Sequence, residues 1–286
     1  MTETANAETR TFQVACELSY VVGEPSTFIM NVAPAGLRTQ TVTHETISMT
    51  PYVEPEHFTE PTTGTRYHRF RSPHANEVTI RLNADVTYCA QRLEPASIVL
   101  GAPEDIPLEI LPYLYPSRYC QSDLLERLTQ REFGRIEPGY MQIVAICEWI
   151  RANVDYLYGT TGPLTSAYDT AVARAGVCRD FTHLGIAFSR ALNIPARFVS
   201  GYAEGLNPPD FHAMFEVWLG DRWYMFDPTG LVSPAGMVRI GTGRDAADVA
   251  FAFIFGPATM AAMSVYCHET TPHTAERTDG MAVVGT

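Results

Sequence analysis

The sequence predicts an α+β fold, in which helices pack on an antiparallel sheet and an N-terminal β-sandwich precedes them. Three changes of pattern along the chain lead to this prediction. Residues 11–93 alternate apolar and polar side chains, as half-buried strands do. Residues 122–193 instead repeat apolar side chains every three or four positions, which is typical of amphipathic helices. Alternation returns over residues 197–227, and we divide the chain into residues 1–100 and residues 101–286.

The N-terminal region contains short alternating segments that turn residues separate. In the clearest segment, residues 77–90, the apolar face carries Val78, Ile80, Leu82 and Ala84. Regular spacing of such segments is typical of an antiparallel β-sandwich. Four histidines are scattered through this region, and we expect surface or turn positions for them: His44, His57, His68 and His74.

The second region begins with predicted helices. Ser122 is a candidate cap for the first helix, and residues 140–153 predict another. Cys147 lies on the apolar face of that second helix, so we interpret it as a core residue and not as a nucleophile. A further helix is expected from Cys178 to about Asn193, just before a proline that enforces its end.

Composition argues against several classes of function. The net charge of −12, without any lysine- or arginine-rich run, argues against binding of nucleic acid or of a membrane surface. The N-terminus shows no secretory pattern. The most apolar run, residues 249–255, is too short to span a bilayer. We therefore expect a soluble cytoplasmic protein. The cysteines and histidines lack the spacings of disulfide scaffolds and metal sites, so we expect no metal and no cofactor. The oligomeric state stays open.

Cys178 is a candidate nucleophile on local grounds. It follows two small residues, Ala175 and Gly176, and stands at the predicted N-terminus of a helix. The unpaired N–H groups there carry partial positive charge, which favours a thiolate and can also hold an oxyanion. Because cysteines at helix starts are also common as structural residues, that alternative stays open at this point.

A hairpin is predicted around residue 220. Gly220 and Asp221 suit a two-residue turn between two alternating runs. In the register that this turn sets, Trp218 faces Trp223. The rest of the pairing follows from the two-residue period of the strands.

This register makes His212 the diagonal neighbour of Asp227 on one face of the sheet, within reach of a side-chain hydrogen bond. A carboxylate so placed can fix the tautomer and orientation of an imidazole. The simpler interpretation is a surface histidine beside a surface aspartate. Two tryptophans and two methionines share the face, however, so we expect the helix that begins at Cys178 to cover it.

Three other side chains near the cysteine are weaker candidates. His183 lies five residues after Cys178, an offset of about 500° around a helix, so we expect it to pack rather than to catalyse. Tyr156 and Tyr158 are candidates for a second oxyanion donor.

Three stretches of this sequence resemble the motifs of the transglutaminase-like superfamily. They are GVCRDF at residues 176–181, FHAMFEV at residues 211–217 and RWYMFDPT at residues 222–229, in that order. The likeness extends to residues 111–120 and 243–249.

The resemblance implies a papain-like transglutaminase core in residues 101–286, with the β-rich N-terminal region that bacterial members carry. It also implies Cys178 as nucleophile, His212 as general base and acid, and Asp227 as the residue that orients the imidazole. Many relatives have an aromatic residue where Met214 stands here, which bears on the shape of the acyl pocket.

The expected function is therefore cysteine-dependent acyl transfer on peptide, protein or small amide substrates through a thioester. Hydrolysis by water is the main expectation, and transfer to an amine is the alternative. A rival from another class is a non-catalytic peptide- or protein-binding module that retains the fold.

Overall fold

The computed structural model describes residues 6–73, 76–271 and 281–285. The N-terminal strands are β1 (Asn6–Val22), β2 (Thr27–Met30), β3 (Gln40–Thr50), β4 (Glu56–Thr59), β5 (Arg66–Arg71) and β6 (Asn76–Leu93). Short 3₁₀ turns then lie within residues 95–113. The helices are α1 (Ser122–Phe133), α2 (Tyr140–Asn153), α3 (Ala167–Ala173) and α4 (Cys178–Ala191), with two short strands between them, β7 (Asp155–Tyr156) and β8 (Ala175–Gly176).

The remaining strands are β9 (Ala196–Ala203), β10 (Phe211–Leu219), β11 (Arg222–Phe226), β12 (Met237–Gly243), β13 (Ala252–Phe255), β14 (Ala258–Glu269) and β15 (Ala282–Val284). The predicted helix and strand positions of the second region agree with these bounds. Asn193, the predicted end signal of α4, adopts a left-handed conformation with φ of 60° just beyond the helix. No helix among the described residues is both long and apolar enough to cross a bilayer.

Most strands belong to one nine-stranded sheet. Its order is β12-β9-β10-β11-β15-β6-β1-β14, and β3 also pairs with β6. The short strand β15 pairs with β11 on one side and with β6 on the other. This strand therefore joins the N-terminal strands and those of the second region into one continuous sheet.

A smaller sheet of order β13-β2-β5-β4 packs on the N-terminal part of the large sheet. The apolar core between them includes Phe12 and Leu18 of β1, Leu82 of β6 and Phe28 of β2. The predicted apolar face of β6 is buried along its length. The α+β fold class with an N-terminal β-sandwich is thus confirmed.

The sheets do not follow the division that we drew at residue 100. Both β13 and β14 come from residues 101–286, yet they pair with β2 and β1. Strand β1 is long, and without β14 its backbone N–H and C=O groups would lack partners along one edge. The division into residues 1–100 and residues 101–286 stays a prediction, and these pairings show that strands from both parts share the two sheets.

One histidine of the N-terminal region departs from expectation. His44 and His57 are exposed, as predicted, but His68 is buried on β5. Its ring contacts that of His57 edge to face, at 4.8 Å between centroids. Burial, with a smaller contribution from His57, lowers the pKa of His68 to about 4, so the imidazole stays neutral. His74 lies outside the described residues.

Helix α4 lies at the centre of the second region, with the other helices on one side and the sheet on the other. It packs on the face of β10 that carries Phe215 and Val217. Gly185 permits this contact, because a Cβ there would lie 2.8 Å from the Phe215 ring. Our prediction that α4 covers the face of His212 and Met214 is therefore wrong. Both faces of β10 are buried, so burial alone could not identify the one that takes the helix.

Candidate active site

Cys178 is the first residue of α4, and a buried carboxylate fixes this start. Asp180 accepts hydrogen bonds from the backbone N–H of Val177 at 3.0 Å and from the hydroxyl of Thr161 at 2.6 Å. Arg179 donates to the other carboxylate oxygen at 2.8 Å. These bonds hold the first turn of α4, which begins at Cys178.

Gly176 is required by the same turn. A Cβ at this position would lie 2.7 Å from the Cβ of Asp180. The glycine also belongs to β8, whose parallel pairing with β7 places Tyr156 opposite it. The small residue before the cysteine therefore serves close packing of the helix start, as its type suggested.

The predicted hairpin register is confirmed. Trp218 pairs with Trp223, and Leu219 pairs with Arg222 across the turn. Gly220 in this turn has φ of 64°, which favours glycine. His212 is the second residue of β10 and Asp227 follows the last residue of β11, so the two share one end of the hairpin.

His212 and Asp227 form a buried ion-pair contact. The Nε2 atom of His212 lies 3.3 Å from Oδ1 of Asp227, and both side chains are almost inaccessible to solvent. Neither ring nitrogen has an aligned hydrogen-bond partner among the described residues. Catalytic hydrogen bonds are often loose without substrate and tighten when it binds.

The loop after β11 anchors Asp227. Its Oδ1 atom accepts from the backbone and the hydroxyl of Thr229, at 2.9 and 2.6 Å, and its Oδ2 atom accepts from the N–H of Val232 at 3.1 Å. Burial raises the pKa of Asp227, but the hydrogen bonds and the charge of His212 outweigh it, and the net shift is downward. The side chain is therefore a fixed carboxylate.

The two acidic neighbours of His212 control its charge. Burial lowers the pKa of His212, but the contacts of its ring with Asp227 and with Cys178 outweigh burial and raise this pKa to about 10. The environment therefore favours the imidazolium form of His212 beside the Asp227 carboxylate. The structure thus brings Cys178, His212 and Asp227 together.

A cavity of about 320 Å³ opens beside this group. Cys178 and His212 both contribute to its lining. The other lining residues are Tyr119, Pro163, Arg179, Phe198, Ser200, Phe211, Ala213, Ala246, Val249, Ala250 and Phe251. Met214 is not among them, because it packs with Met225 and Met237 behind the sheet. The concern that Met214 reshapes the acyl pocket is therefore not supported.

One wall of the cavity depends on residues that sequence reasoning missed. Asp245 is buried, and its carboxylate accepts from the N–H groups of Tyr119 and Ala247, each at 2.9 Å. Arg190 donates to the backbone carbonyls of Tyr115 and Arg244, at 3.0 and 2.6 Å. These bonds tie residues 111–120 to residues 243–249, the two outlying stretches of the family resemblance, which was the signal that could have found them.

His183 supports the same wall. Its Nε2 atom accepts from the N–H of Ala246 at 3.2 Å, and its ring lies against those of Tyr119 and Phe198. Burial, and then the charge of Arg179, lowers the pKa of His183 to about 3, so the ring is a neutral acceptor. The prediction that His183 packs rather than joins the catalytic group agrees with this position.

Of the two tyrosines, only Tyr156 lies at the nucleophile. Burial raises the pKa of Tyr156, and its neighbours Cys178 and Tyr158 raise it further. A hydrogen bond from the backbone N–H of Cys178 has the opposite effect and lowers this pKa. The Tyr156 ring packs on Phe181 at 5.5 Å, one turn along α4, whereas Tyr158 is exposed. The Tyr156 hydroxyl and the Cys178 N–H are thus neighbours.

The remaining candidates are structural. Cys147 is buried in the helical core, as predicted, and burial raises the pKa of its thiol.

Within the described ranges, no group of three or more acidic, histidine or cysteine side chains is arranged to hold a metal ion. A larger cleft of about 500 Å³ lies on the small sheet beside Phe58, Tyr67 and Phe253, and no cysteine or histidine lines it.

Two families match separate parts of the sequence. Residues 10–98 match the family described as "Bacterial transglutaminase, N-terminal domain". Residues 126–228, which contain all three candidate catalytic residues, match the family described as "Transglutaminase-like superfamily".

Similar proteins include one solved structure and several mycobacterial sequences. The crystal structure of a "Putative Cysteine Protease" from Cytophaga hutchinsonii is 41% identical, with a TM-score of 0.91, over 98% of this chain and 99% of that one. An uncharacterized protein of Mycobacterium leprae is 32% identical over 48% of this chain and 52% of its own length.

An uncharacterized protein of Mycobacterium tuberculosis is 37% identical over 35% of this chain and 37% of its own length. The chain thus spans about half, or less, of the curated relatives it matches. The three sequence motifs agree with the family matches and with the near-complete likeness to the Cytophaga structure. The chain therefore belongs to the transglutaminase-like superfamily.

Proposed function

We propose that this protein hydrolyses amide bonds through a thioester on Cys178. The observation that carries the proposal is the convergence of three side chains beside one cavity, which Cys178 and His212 line while Asp227 contacts His212. The name of the 41% identical Cytophaga structure supports hydrolysis over other acyl transfer.

In the proposed first step, the Cys178 thiolate attacks the amide carbonyl and the carbonyl oxygen becomes an oxyanion. The proposed donors to that oxygen are the backbone N–H of Cys178, released from Tyr156, and the Tyr156 hydroxyl, and their proximity supports this assignment. The His212 imidazolium then gives its proton to the departing amine, which leaves a thioester and a neutral imidazole.

In the second step, the neutral His212 takes a proton from water as the water oxygen attacks the thioester carbonyl. The C–S bond then breaks, which releases the carboxylic acid and regenerates the Cys178 thiolate beside the His212 imidazolium. Asp227 holds the imidazole in position throughout and stabilises its charged form. An amine in place of water would give transamidation instead, since the chemistry of attack is the same.

A mutant comparison with product analysis tests the proposal. The purified protein is incubated with a peptide and amide library, with and without added amines, and products are identified by mass spectrometry. Cys178→Ala should abolish turnover, a loss on the order of 10⁶ where the wild-type rate allows it to be measured. The matched control is Cys147→Ala, whose activity per folded molecule should change little because that thiol is buried in the helical core.

Each outcome decides between the candidate functions. A free acid as the product supports hydrolysis, and an amine adduct alone would establish transamidation. Turnover that survives Cys178→Ala would overturn the mechanism. If no substrate is turned over and iodoacetamide does not label Cys178, the binding-module alternative is the better account.

A further inference from the structure

The cavity beside Cys178 constrains the acyl group that can form the thioester. In that intermediate the acyl group is bonded to the sulfur, so its side chain must occupy space that Cys178 itself lines. The cavity of about 320 Å³ is such a space, with Cys178 and His212 in its lining. Its size is at the low end of ligand pockets, roughly 300–1,000 Å³, which suits one side chain.

The lining of this cavity is mainly aromatic and aliphatic. Phe211 and Phe251 stack at 4.1 Å between ring centroids, and Phe198 and Val249 add further apolar surface. No carboxylate belongs to the lining, so a basic side chain would find no partner there. An apolar side chain would instead leave water without losing hydrogen bonds.

Two polar side chains of the lining, Arg179 and Ser200, already have partners within the chain. The guanidinium of Arg179 donates to Asp180 and to the carbonyl of Gly162, each at 2.8 Å. The hydroxyl of Ser200 faces the carbonyl of Gly241 at 3.5 Å. A carboxylate or amide side chain would therefore lose its hydration and would have to compete with these existing partners.

The wall is also built to keep its shape. The neutral His183 accepts from Ala246, and the buried Asp245 ties the same segment to Tyr119. Small side chains then leave the cavity open, among them Ala213 and Ala250. The fixed wall and the apolar lining of the cavity thus both favour an uncharged, apolar side chain.

From this wall we infer that the acyl donor carries an uncharged, apolar side chain, of about the size of leucine or phenylalanine, next to the scissile carbonyl. This inference rests on the proposed function, because it requires an acyl group on Cys178. It assigns Ala250, half-buried in the cavity wall, as a residue that determines specificity.

Peptidyl acyloxymethyl ketones test the inference. With these probes the cysteine thiolate displaces the carboxylate leaving group and forms a thioether with the methylene carbon, so each label reports occupancy of the acyl site. A series is made with glycine, leucine, phenylalanine, glutamine, aspartate or lysine next to the ketone, and labelling rates are measured by intact mass. The leucine and phenylalanine probes should react about tenfold faster, or more, than the charged and amide probes.

Ala250→Leu fills the cavity and should reduce the advantage of the phenylalanine probe over the glycine probe by about tenfold. The matched control is Ala247→Leu in the same segment, because Ala247 is exposed and lies outside the lining. Ala247→Leu should keep the wild-type ratio of the phenylalanine and glycine labelling rates.

Iodoacetamide separates the two proposals. If it labels Cys178 while all ketone probes react at similar rates, or the charged probes react faster, the apolar acyl pocket is overturned and the nucleophile stands. If neither iodoacetamide nor any ketone labels Cys178, the proposed function fails, and the pocket assignment fails with it.

Discussion

His212 illustrates how single residues control the chemistry of this site. Its burial alone would favour a neutral ring, as it does for His183, yet its pKa is raised to about 10. The difference lies in the neighbours, since His212 faces two acidic groups whereas His183 accepts a hydrogen bond from a backbone N–H. The surroundings of these two buried imidazoles thus favour the charged form of His212 and the neutral form of His183.

Asp227→Asn is the residue-scale test of this arrangement. The amide keeps the size of the carboxylate but removes the charge that raises the pKa of His212, so that pKa should fall. We expect kcat/KM to decrease by a factor on the order of 10⁴, because the imidazole loses its orientation and the stabilisation of its charged form. The control is Asp221→Asn in the exposed hairpin turn, which should leave kcat/KM within about twofold.

The same variant gives a signed pH dependence. The folded-state pKa of His212 is raised above the usual 6.5, so its contribution to stability is complete below about pH 6.5 and is lost as the pH rises toward 10. The difference in unfolding free energy between wild type and Asp227→Asn should therefore shrink from pH 6 to pH 10, as measured by urea denaturation. A difference that grows with pH would contradict the charged His212.

At the scale of elements, the start of α4 depends on one close contact. Gly176 lies against Asp180, which in turn holds Val177 and Thr161. Since Cys178 is the first residue of the helix, any displacement here moves the nucleophile relative to His212. The hairpin β10–β11 and the helix α4 are therefore the two elements that set the geometry of the site.

Gly176→Ala tests this dependence. The added Cβ would lie 2.7 Å from that of Asp180, so we expect a loss of about 1–3 kcal/mol in unfolding free energy. The iodoacetamide labelling rate of Cys178 should also fall in the folded variant. Gly162→Ala is the matched control, because a Cβ there meets no atom within 4 Å. Equal behaviour of the two variants would argue against the proposed role of Gly176.

At the scale of the whole molecule, several connections join the N-terminal strands to the second region, among them strand β15 and the side chain of Gln40. Strand β15 lies between β11 and β6 in the large sheet. Gln40 is buried and spans to β12, accepting from the N–H of Arg239 at 2.8 Å and donating to its carbonyl at 2.9 Å. We therefore expect both parts to unfold together.

Gln40→Met tests this coupling. Methionine has a similar length but cannot make the hydrogen bonds of the Gln40 amide to the Arg239 backbone and to the Ala35 carbonyl, at a cost of about 1–3 kcal/mol. Urea denaturation should show a single transition for the wild type and for the variant. The midpoint of the variant should be lower, and by the same amount, whether unfolding is followed by tryptophan fluorescence or by hydrogen exchange in β1. Gln13→Met on the exposed face of β1 is the control. Separate transitions for β1 and for the tryptophans, all of which lie in the second region, would contradict the coupling.

The sequence by itself determined the local features of this protein. The hairpin register followed from a two-residue turn and the period of its strands, and both belong to neighbouring residues. The position of Cys178 at a helix start followed from the small residues before it and from the apolar repeat after it. These predictions depended on contacts between residues close together in the chain.

Only the tertiary structure decided the features that depend on distant contacts. The face of β10 that takes α4 could not be predicted, because both faces are buried and the alternation of its side chains does not distinguish a helix from a sheet partner. Strand β14 pairs with β1, which lies far from it in the sequence. Asp245 and Arg190 likewise join two distant segments, residues 111–120 and 243–249. Such pairings are selected by the packing of the complete chain, since no local pattern specifies which distant backbone group a buried side chain will bind.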